Sequence, residues 1–364
     1  MENLVMAGDF WKNKRVLITG HTGFKGSWLS IWLQSKGANV TGLSLDPPSK
    51  PNLFEIAHVR DGINSEYYVD IRNLEKLHAA FIECQPEIIF HMAAQALVRR
   101  SYEAPIETFT TNIMGTVNVL EAVRLSDSVR VVVNITSDKC YENKEWYWGY
   151  RENEPMGGQD PYSCSKGCAE LVTAAYRSSF FSKDGDVIPD VRVATTRAGN
   201  VIGGGDWGAD RLIPDIIQAF LNHRPIMIRY PSAIRPWQHV LEPLCGYQIL
   251  AEKLFQEGKE FAQGWNFGPN EEGAKPVSWI VSHLKDLWGL DASWELDSAP
   301  QPHEATYLKL DCSKARNLLG WAPKIDIETA LEWTVEWYHA YQHGENMRRV
   351  TENQIAHYES LSRG

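Results

Sequence analysis

Apolar residues along this chain fall into two alternating rhythms. Short aliphatic or β-branched runs occur at Val16–Ile18, Val40–Leu45, Tyr67–Val69, Glu87–Phe90, Val131–Ile135 and Val191–Thr196. They read as strands, several of them apolar enough to be buried on both faces. Between them apolar positions recur every three or four residues: Trp28, Leu29, Trp32, Leu33; Leu74, Leu77, Phe81; Phe109, Ile113, Val117, Leu120, Val123; and along Ser163–Phe180. Each set marks one face of a helix. Such regular alternation predicts an α/β fold, a doubly wound parallel sheet with helices on both faces. Beyond Asn200 the pattern shortens, which predicts a smaller α/β lobe. There Asp311 is placed to cap a helix running to Leu319 and stopped by Gly320, and Leu331, Trp333 and Trp337 predict a final amphipathic helix.

The stretch Arg15–Gly26 (RVLITGHTGFKG) follows the first strand with Gly20, Gly23 and Gly26 at three-residue spacing and then re-forms as a helix. Glycines at a strand-to-helix turn let backbone approach closely, and the free N–H groups at the helix start suit a pyrophosphate. This is the signature of a Rossmann-type dinucleotide site. Asp46 closes the second strand, near the offset at which an acid accepts the ribose hydroxyls of NAD and repels the 2′-phosphate of NADP. Ligands of such folds sit beyond the carboxyl ends of strands, where Asp70-Ile71 and the small-residue run Ala93–Gln95 also lie. His91 reads as a structural histidine at a strand end.

Composition narrows the partners. A net charge of −10 argues against nucleic acid or an anionic membrane surface, so an anionic ligand needs a local basic pocket. No apolar run approaches about 18 residues, and the first 14 residues lack the apolar core of a signal peptide, so the expected location is cytoplasmic. The six cysteines, including Cys164 and Cys168 four apart, form no metal-ligand pattern and are expected as reduced thiols; no metal is predicted. The 14 tryptophans are expected mostly in the core.

Two further segments carry chemistry. Tyr162 and Lys166 lie one turn apart on one helix face, where an ammonium beside a phenol favours the phenolate. Thr136-Ser137-Asp138-Lys139 follows the fifth strand, where a hydroxyl can share a proton with Tyr162 and a sugar alcohol. With the glycine turn, these imply hydride transfer between an alcohol carbon and nicotinamide.

On these motifs nearly the whole chain resembles the extended short-chain dehydrogenase/reductases that act on nucleotide-sugars, and within them the sugar-nucleotide 4,6-dehydratases. Those acting on dTDP-glucose and GDP-mannose carry Thr-Asp-Glu where this chain has Ser137-Asp138-Lys139. The lysine is similar to the branch acting on CDP-glucose, as are Arg197–Trp207 (RAGNVIGGGDW) and Arg235–Val240 (RPWQHV). The resemblance implies NAD as cofactor, a CDP-sugar as substrate, and a product used in bacterial deoxysugar synthesis. It implies that Tyr162 accepts the C4 hydroxyl proton, Asp138 protonates the leaving C6 hydroxyl, and Ser137 and Lys166 assist. Lys139 is either the C5 base, if neutral, or a stabiliser of the enolate. The resemblance also assigns Thr22, Phe24, Asn112 and Thr136 to the cofactor site. Arg197, Asn200, Arg211, Arg235 and His303 are assigned to the sugar nucleotide, guanidinium forks being matched to phosphate oxygens. The expected layout is an NAD-binding domain over residues 1–199, rejoined by about 235–265, with 200–364 mainly the nucleotide-sugar lobe. The long helices are expected to pair subunits into a homodimer or homotetramer. A nucleotide-sugar 4-epimerase, in which Asp138 has no task, and a non-catalytic NAD-binding regulator are the competing readings.

Overall fold

In the computed structural model, which describes residues 10–181, 190–289, 294–297 and 308–361, seven parallel strands form one sheet. In chain order these are β1 (Arg15–Thr19), β2 (Asn39–Ser44), β3 (Ser65–Tyr68), β4 (Ile88–His91), β5 (Val131–Ile135), β6 (Arg192–Arg197) and β7 (Gly264–Asn266). Their order across the sheet is β7-β6-β5-β4-β1-β2-β3. The order reverses between β1 and β4, so the loops after those strands part to open a crevice at their carboxyl ends.

Alternation along β1 shows how the sheet is covered. Val16 and Ile18 point into one apolar layer and Leu17 into the other. The first layer includes α1 (Phe24–Ser35) and α2 (Leu241–Gln256), and its core runs without a break into the C-terminal helices. The second gathers Leu77, Phe81, Leu120 and Val123 against Ile89, Val132 and Val193. Trp11, Trp28, Trp32, Trp265, Trp321 and Trp337 are all fully buried, and all six cysteines are free. No helix among the described residues is long and apolar enough to cross a membrane.

Three differences from the sequence pattern have local causes. The helix expected as one piece from Phe109 to Val123 is interrupted by a wider turn at Thr110–Met114, between Pro105–Phe109 and Gly115–Arg124. Asn112 lies in that turn, and such bulges swing a side chain out of helical register. The helix at Leu331 spans Ile327–Gln342 but is not the last. Another, Met347–Ser360, folds back against α1, where Trp32 Nε1 donates to Glu359 at 2.7 Å. Its buried stripe is thin and partly polar (Met347, Thr351, Gln354, Ile355, Tyr358), so its periodicity is faint. The chain beyond residue 200 therefore supplies both a flanking lobe and cover for the main sheet.

Candidate active site

The glycine turn is shaped by contacts that no other residue permits. Gly20 has φ +78°, and a Cβ on it would lie 2.8 Å from the Ala93 backbone nitrogen. A Cβ on Gly26 would lie 2.2 Å from the Gly20 carbonyl oxygen. Gly23 caps α1 with no side-chain hydrogen bond, and the first turn of α1 carries no acid, so the helix N-terminus is left open for an anion. Thr22 Oγ1 donates to the Leu45 carbonyl (3.0 Å) and accepts from Ser44 Oγ (2.8 Å), which draws the end of β2 and Asp46 toward the turn. Thr19 Oγ1 accepts from the N–H groups of Met92 and Ala93, so its own proton goes to His91 Nδ1 at 2.7 Å. Burial pushes His91 down to about 3, and it remains a neutral strut.

These elements border a cavity of about 930 Å³. Gly20, Thr22, Gly23, Phe24, Gly26, Asp46, Asp70, Ile71, Ala93 and Gln95 line it from the sheet's β1–β4 side. Thr136, Ser137, Asp138, Lys139, Tyr162 and Lys166 form its middle, and Asn200, Arg211 and Arg235 its far wall. Arg72 grips Asp70 at 2.5–3.0 Å and holds that carboxylate below its usual range. Arg211 donates to Asp206 at 3.1 and 3.2 Å, and Arg235 donates to the Ile234 carbonyl at 2.9 Å.

Two assignments are corrected. Arg197 is not in this cavity. It is buried under the end of β6, where Nε and one Nη donate at 2.9 Å to the two oxygens of Glu170. Burial works to raise the Glu170 carboxyl, but Arg197 and the Thr136 and Thr195 hydroxyls outweigh it and leave it lowered. A guanidinium so satisfied is a strut, and Thr136 is tied to the same carboxylate at 2.5 Å. Asn112 also stays outside the cavity: its Oδ1 accepts from the Gln95 N–H (2.8 Å) and its Nδ2 donates to the Gln95 carbonyl (3.0 Å), so it shapes the loop that lines the cavity. His303 lies outside the described residues.

The catalytic candidates come together on a short turn after β5 and the first turns of the helix Pro161–Tyr176, here α3 in space though earlier in chain than α2. Asp160 caps that helix, accepting from Ser163 N at 2.9 Å, and so sets Tyr162 at its mouth. Ser137 Oγ accepts from Lys139 N (3.2 Å) and donates to Asp138 Oδ1 (3.0 Å). Asp138 is 2% exposed, and its Oδ2 has no hydrogen-bond partner among the described residues. That oxygen lies in a slot left by Gly199, whose Cβ, if present, would be 1.8 Å away.

Lys166 behaves differently from its position on the helix. Its ammonium reaches the Ile135 carbonyl (3.4 Å), and burial lowers it to about 8 against the opposing pull of Cys140 and Glu170. Burial pushes the Tyr162 phenol up to about 12, with the Ser137 hydrogen bond and Arg211 pulling it down. Adjacency on one face therefore does not by itself make Tyr162 a phenolate.

Lys25 was not singled out from sequence, although a lysine between Phe24 and Gly26 in a phosphate-type turn is visible there. It lines the cavity, and burial, with Lys166 and Arg211, lowers its ammonium to about 8 against Asp138 and Asp206. Gly199 and Glu170 were also missed, because what makes them matter is distant in sequence: Asp138 for one, Arg197 and Thr136 for the other.

The family model for GDP-mannose 4,6 dehydratase matches residues 17–264. The chain belongs to this family. Among curated members, the CDP-glucose 4,6-dehydratase of Salmonella typhimurium LT2 is 57% identical over 354 residues, covering 97% of this chain and 98% of that protein. The dTDP-glucose 4,6-dehydratase of Neisseria gonorrhoeae is 26% identical over 343 residues, 89% of this chain and 95% of that one. These relatives carry different bases, so the family name leaves the nucleotide open. Of solved structures, dTDP-glucose 4,6-dehydratase of Bacillus anthracis in complex with NAD superposes with a TM-score of 0.74 at 23% identity, over 92% of this chain and 99% of that one. UDP-glucose 4-epimerase of Thermotoga maritima reaches 0.76 at 22% identity, over 90% and 99%. Dehydratases and epimerases of the family thus share the fold of this chain.

Proposed function

We propose that this protein is a CDP-glucose 4,6-dehydratase that uses NAD and forms CDP-4-keto-6-deoxyglucose and water. The observation that carries this is the 57% identity, end to end, to the Salmonella enzyme of that name. NAD fits the residues present. The turn at Gly20 and Gly26 has no room for a Cβ, the start of α1 has no side-chain cap, and Asp46 stands at the cavity wall at the end of β2. When bound, NAD supplies a hydride acceptor for C4 of the sugar and returns that hydride to C6. The pyrophosphate is held by the N–H groups at the start of α1, and the ribose by Asp46 and by those Lys166 protons not given to Ile135.

The chain's own groups move the protons. Tyr162 takes the proton of the C4 hydroxyl. The resulting ketone acidifies C5–H, and Asp138 protonates the departing C6 hydroxyl. Lys139, beside Asp138 in the same cavity, acts on the C5 proton or on the enolate. Arg211, Arg235 and Asn200 face the nucleotide diphosphate. An epimerase has no elimination step and no use for Asp138, which is buried with an unpartnered oxygen in a slot shaped for it. Subunits pair through the exposed apolar side chains of the helices around Ile106, Met114 and Leu171, which are 79%, 49% and 60% exposed, giving a homodimer or homotetramer.

The test is incubation with CDP-, dTDP-, GDP- and UDP-glucose, followed by alkaline absorbance and mass spectrometry. The expected result is a 4-keto-6-deoxy product from CDP-glucose in preference to the others. Simple epimerisation, or preference for another base, would overturn it.

A further inference from the structure

The proposed reaction has a proton ledger that does not close residue by residue. C4 oxidation breaks the O4–H bond and leaves its proton on Tyr162, while the O4–H electron pair becomes part of the ketone and the C4 hydride passes to NAD. Loss of water breaks C5–H and C6–O, and O6 leaves with a proton from Asp138. The C5 proton is restored when hydride returns to C6. Over one turnover Tyr162 therefore gains one proton and Asp138 loses one, though the overall reaction neither consumes nor releases any.

The structure holds a link between those two groups. Ser137 Oγ donates to Asp138 Oδ1 at 3.0 Å and is hydrogen-bonded to the Tyr162 phenol. A hydroxyl has one donor and two acceptor sites. The donor goes to Asp138, one acceptor is filled by Lys139 N at 3.2 Å, and the other is left for the Tyr162 O–H. All three side chains are buried, at 7%, 2% and 8% exposure for Ser137, Asp138 and Tyr162. The backbone turn that fixes this arrangement is itself closed by Ser137, which caps it.

We propose that Tyr162, Ser137 and Asp138 act as one proton-sharing unit, so that the proton drawn from O4 replaces the one given to O6. At rest the phenol and the carboxyl hold one proton between them; after C4 oxidation they hold two; after water leaves they again hold one. Transfer is a double hop: the Tyr162 proton moves to Ser137 Oγ as the Ser137 proton moves to Asp138 Oδ1. Ser137 is unchanged at the end. Asp138 has in this way a part in the oxidation as well as in the elimination. This inference rests on the dehydratase reading above.

The charges facing the phenol come from several elements. Asp138 and Asp160 oppose its ionisation and Arg211 favours it. Lys139, Lys166 and Lys25 face the same cavity from the turn after β5, the tyrosine's own helix and α1. None of these is altered in the test.

Holoenzyme is mixed with CDP-glucose and quenched into borodeuteride, so that every 4-keto sugar is trapped with deuterium at C4 and counted by mass spectrometry. Wild type should form ketosugar at a rate flat between about pH 6.5 and 9, because the phenol has an internal acceptor for its proton. In Asp138→Asn, and separately in Ser137→Ala, the phenol must ionise to solvent first. The rate of C4 oxidation should then rise about tenfold per pH unit over the same range. Ser137→Thr, which keeps the hydroxyl, should restore the flat profile. Each of the first two variants tests the link alone, so one folded variant suffices, folding being judged by melting temperature. If Asp138→Asn or Ser137→Ala oxidises C4 with a flat, wild-type profile, the shared-proton unit is wrong while the dehydratase reading stands. If wild type traps no ketosugar from CDP-glucose at any pH, the reading beneath it is wrong as well.

Discussion

Replacing Gly199 by alanine is the sharpest probe of the site, because the consequence can be worked from distances. The new Cβ would stand 1.8 Å from Asp138 Oδ2, 2.4 Å from Cγ and 2.9 Å from Oδ1. Ordinary contact between such atoms is roughly 3.3–3.5 Å, so the carboxyl must retreat by about 1.5 Å. It cannot do so by a small side-chain adjustment and keep the 3.0 Å bond from Ser137, because Gly199 bears on the whole carboxyl. Misplacement of a reacting group by about 1 Å costs on the order of 10²-fold in rate. Overpacking of a close-packed site costs about 1–3 kcal/mol in stability. Gly199→Ala should therefore lower kcat for CDP-glucose by about 100-fold or more and leave KM within a few-fold, since the nucleotide contacts lie elsewhere in the cavity. The measurements are steady-state product formation and a melting curve. A folded Gly199→Ala enzyme with kcat within about threefold of wild type would refute the assignment of Asp138 and the slot that holds it.

Three further outcomes follow from other parts of the molecule. Gly26→Ala, with its Cβ 2.2 Å from the Gly20 oxygen, should open the turn and yield protein with little bound NAD, read by the cofactor released on denaturation. Asp46→Ser should raise the preference for NADP over NAD by about tenfold or more in paired binding titrations, by removing the repulsion of a 2′-phosphate. Glu242 is buried under the C-terminal helix, accepting from Tyr358 and from the Lys324 and Ile325 N–H groups, and burial raises it from 4.5 to about 7 despite those bonds. Its raised value means a contribution to stability that is full below about pH 4.5 and lost as pH rises through 7. Wild type should lose on the order of 2–3 kcal/mol through this group across that window, and Glu242→Gln should not, as followed by urea denaturation at several pH values.

The strands and helices of the main sheet were legible because burial on both faces writes itself into short stretches. Val131–Ile135 is apolar but for one asparagine, and its limits match the observed strand. The glycine turn was legible for a similar reason: its geometry is settled within a dozen residues by local sterics. Ser137, Asp138, Tyr162 and Lys166 could be named as a set because each sits just after a strand or at the start of a helix, where the fold class directs side chains to one edge of the sheet. Local pattern could not say what each side chain finds when it arrives there. Arg197 stands among ligand-like residues in sequence, yet Glu170, 27 positions away, claims its guanidinium at the sheet's edge. Lys166 stands one turn from Tyr162, yet its ammonium turns to the Ile135 carbonyl. The Asn112 side chain reads as a cofactor contact until the bulge at Thr110–Met114 turns it to the Gln95 backbone. Backbone conformation depends on near neighbours and hydrophobic period, which a linear sequence carries directly. The partner of a buried charge is set by which chain segments meet in space, and that meeting exists only once the sheet has assembled.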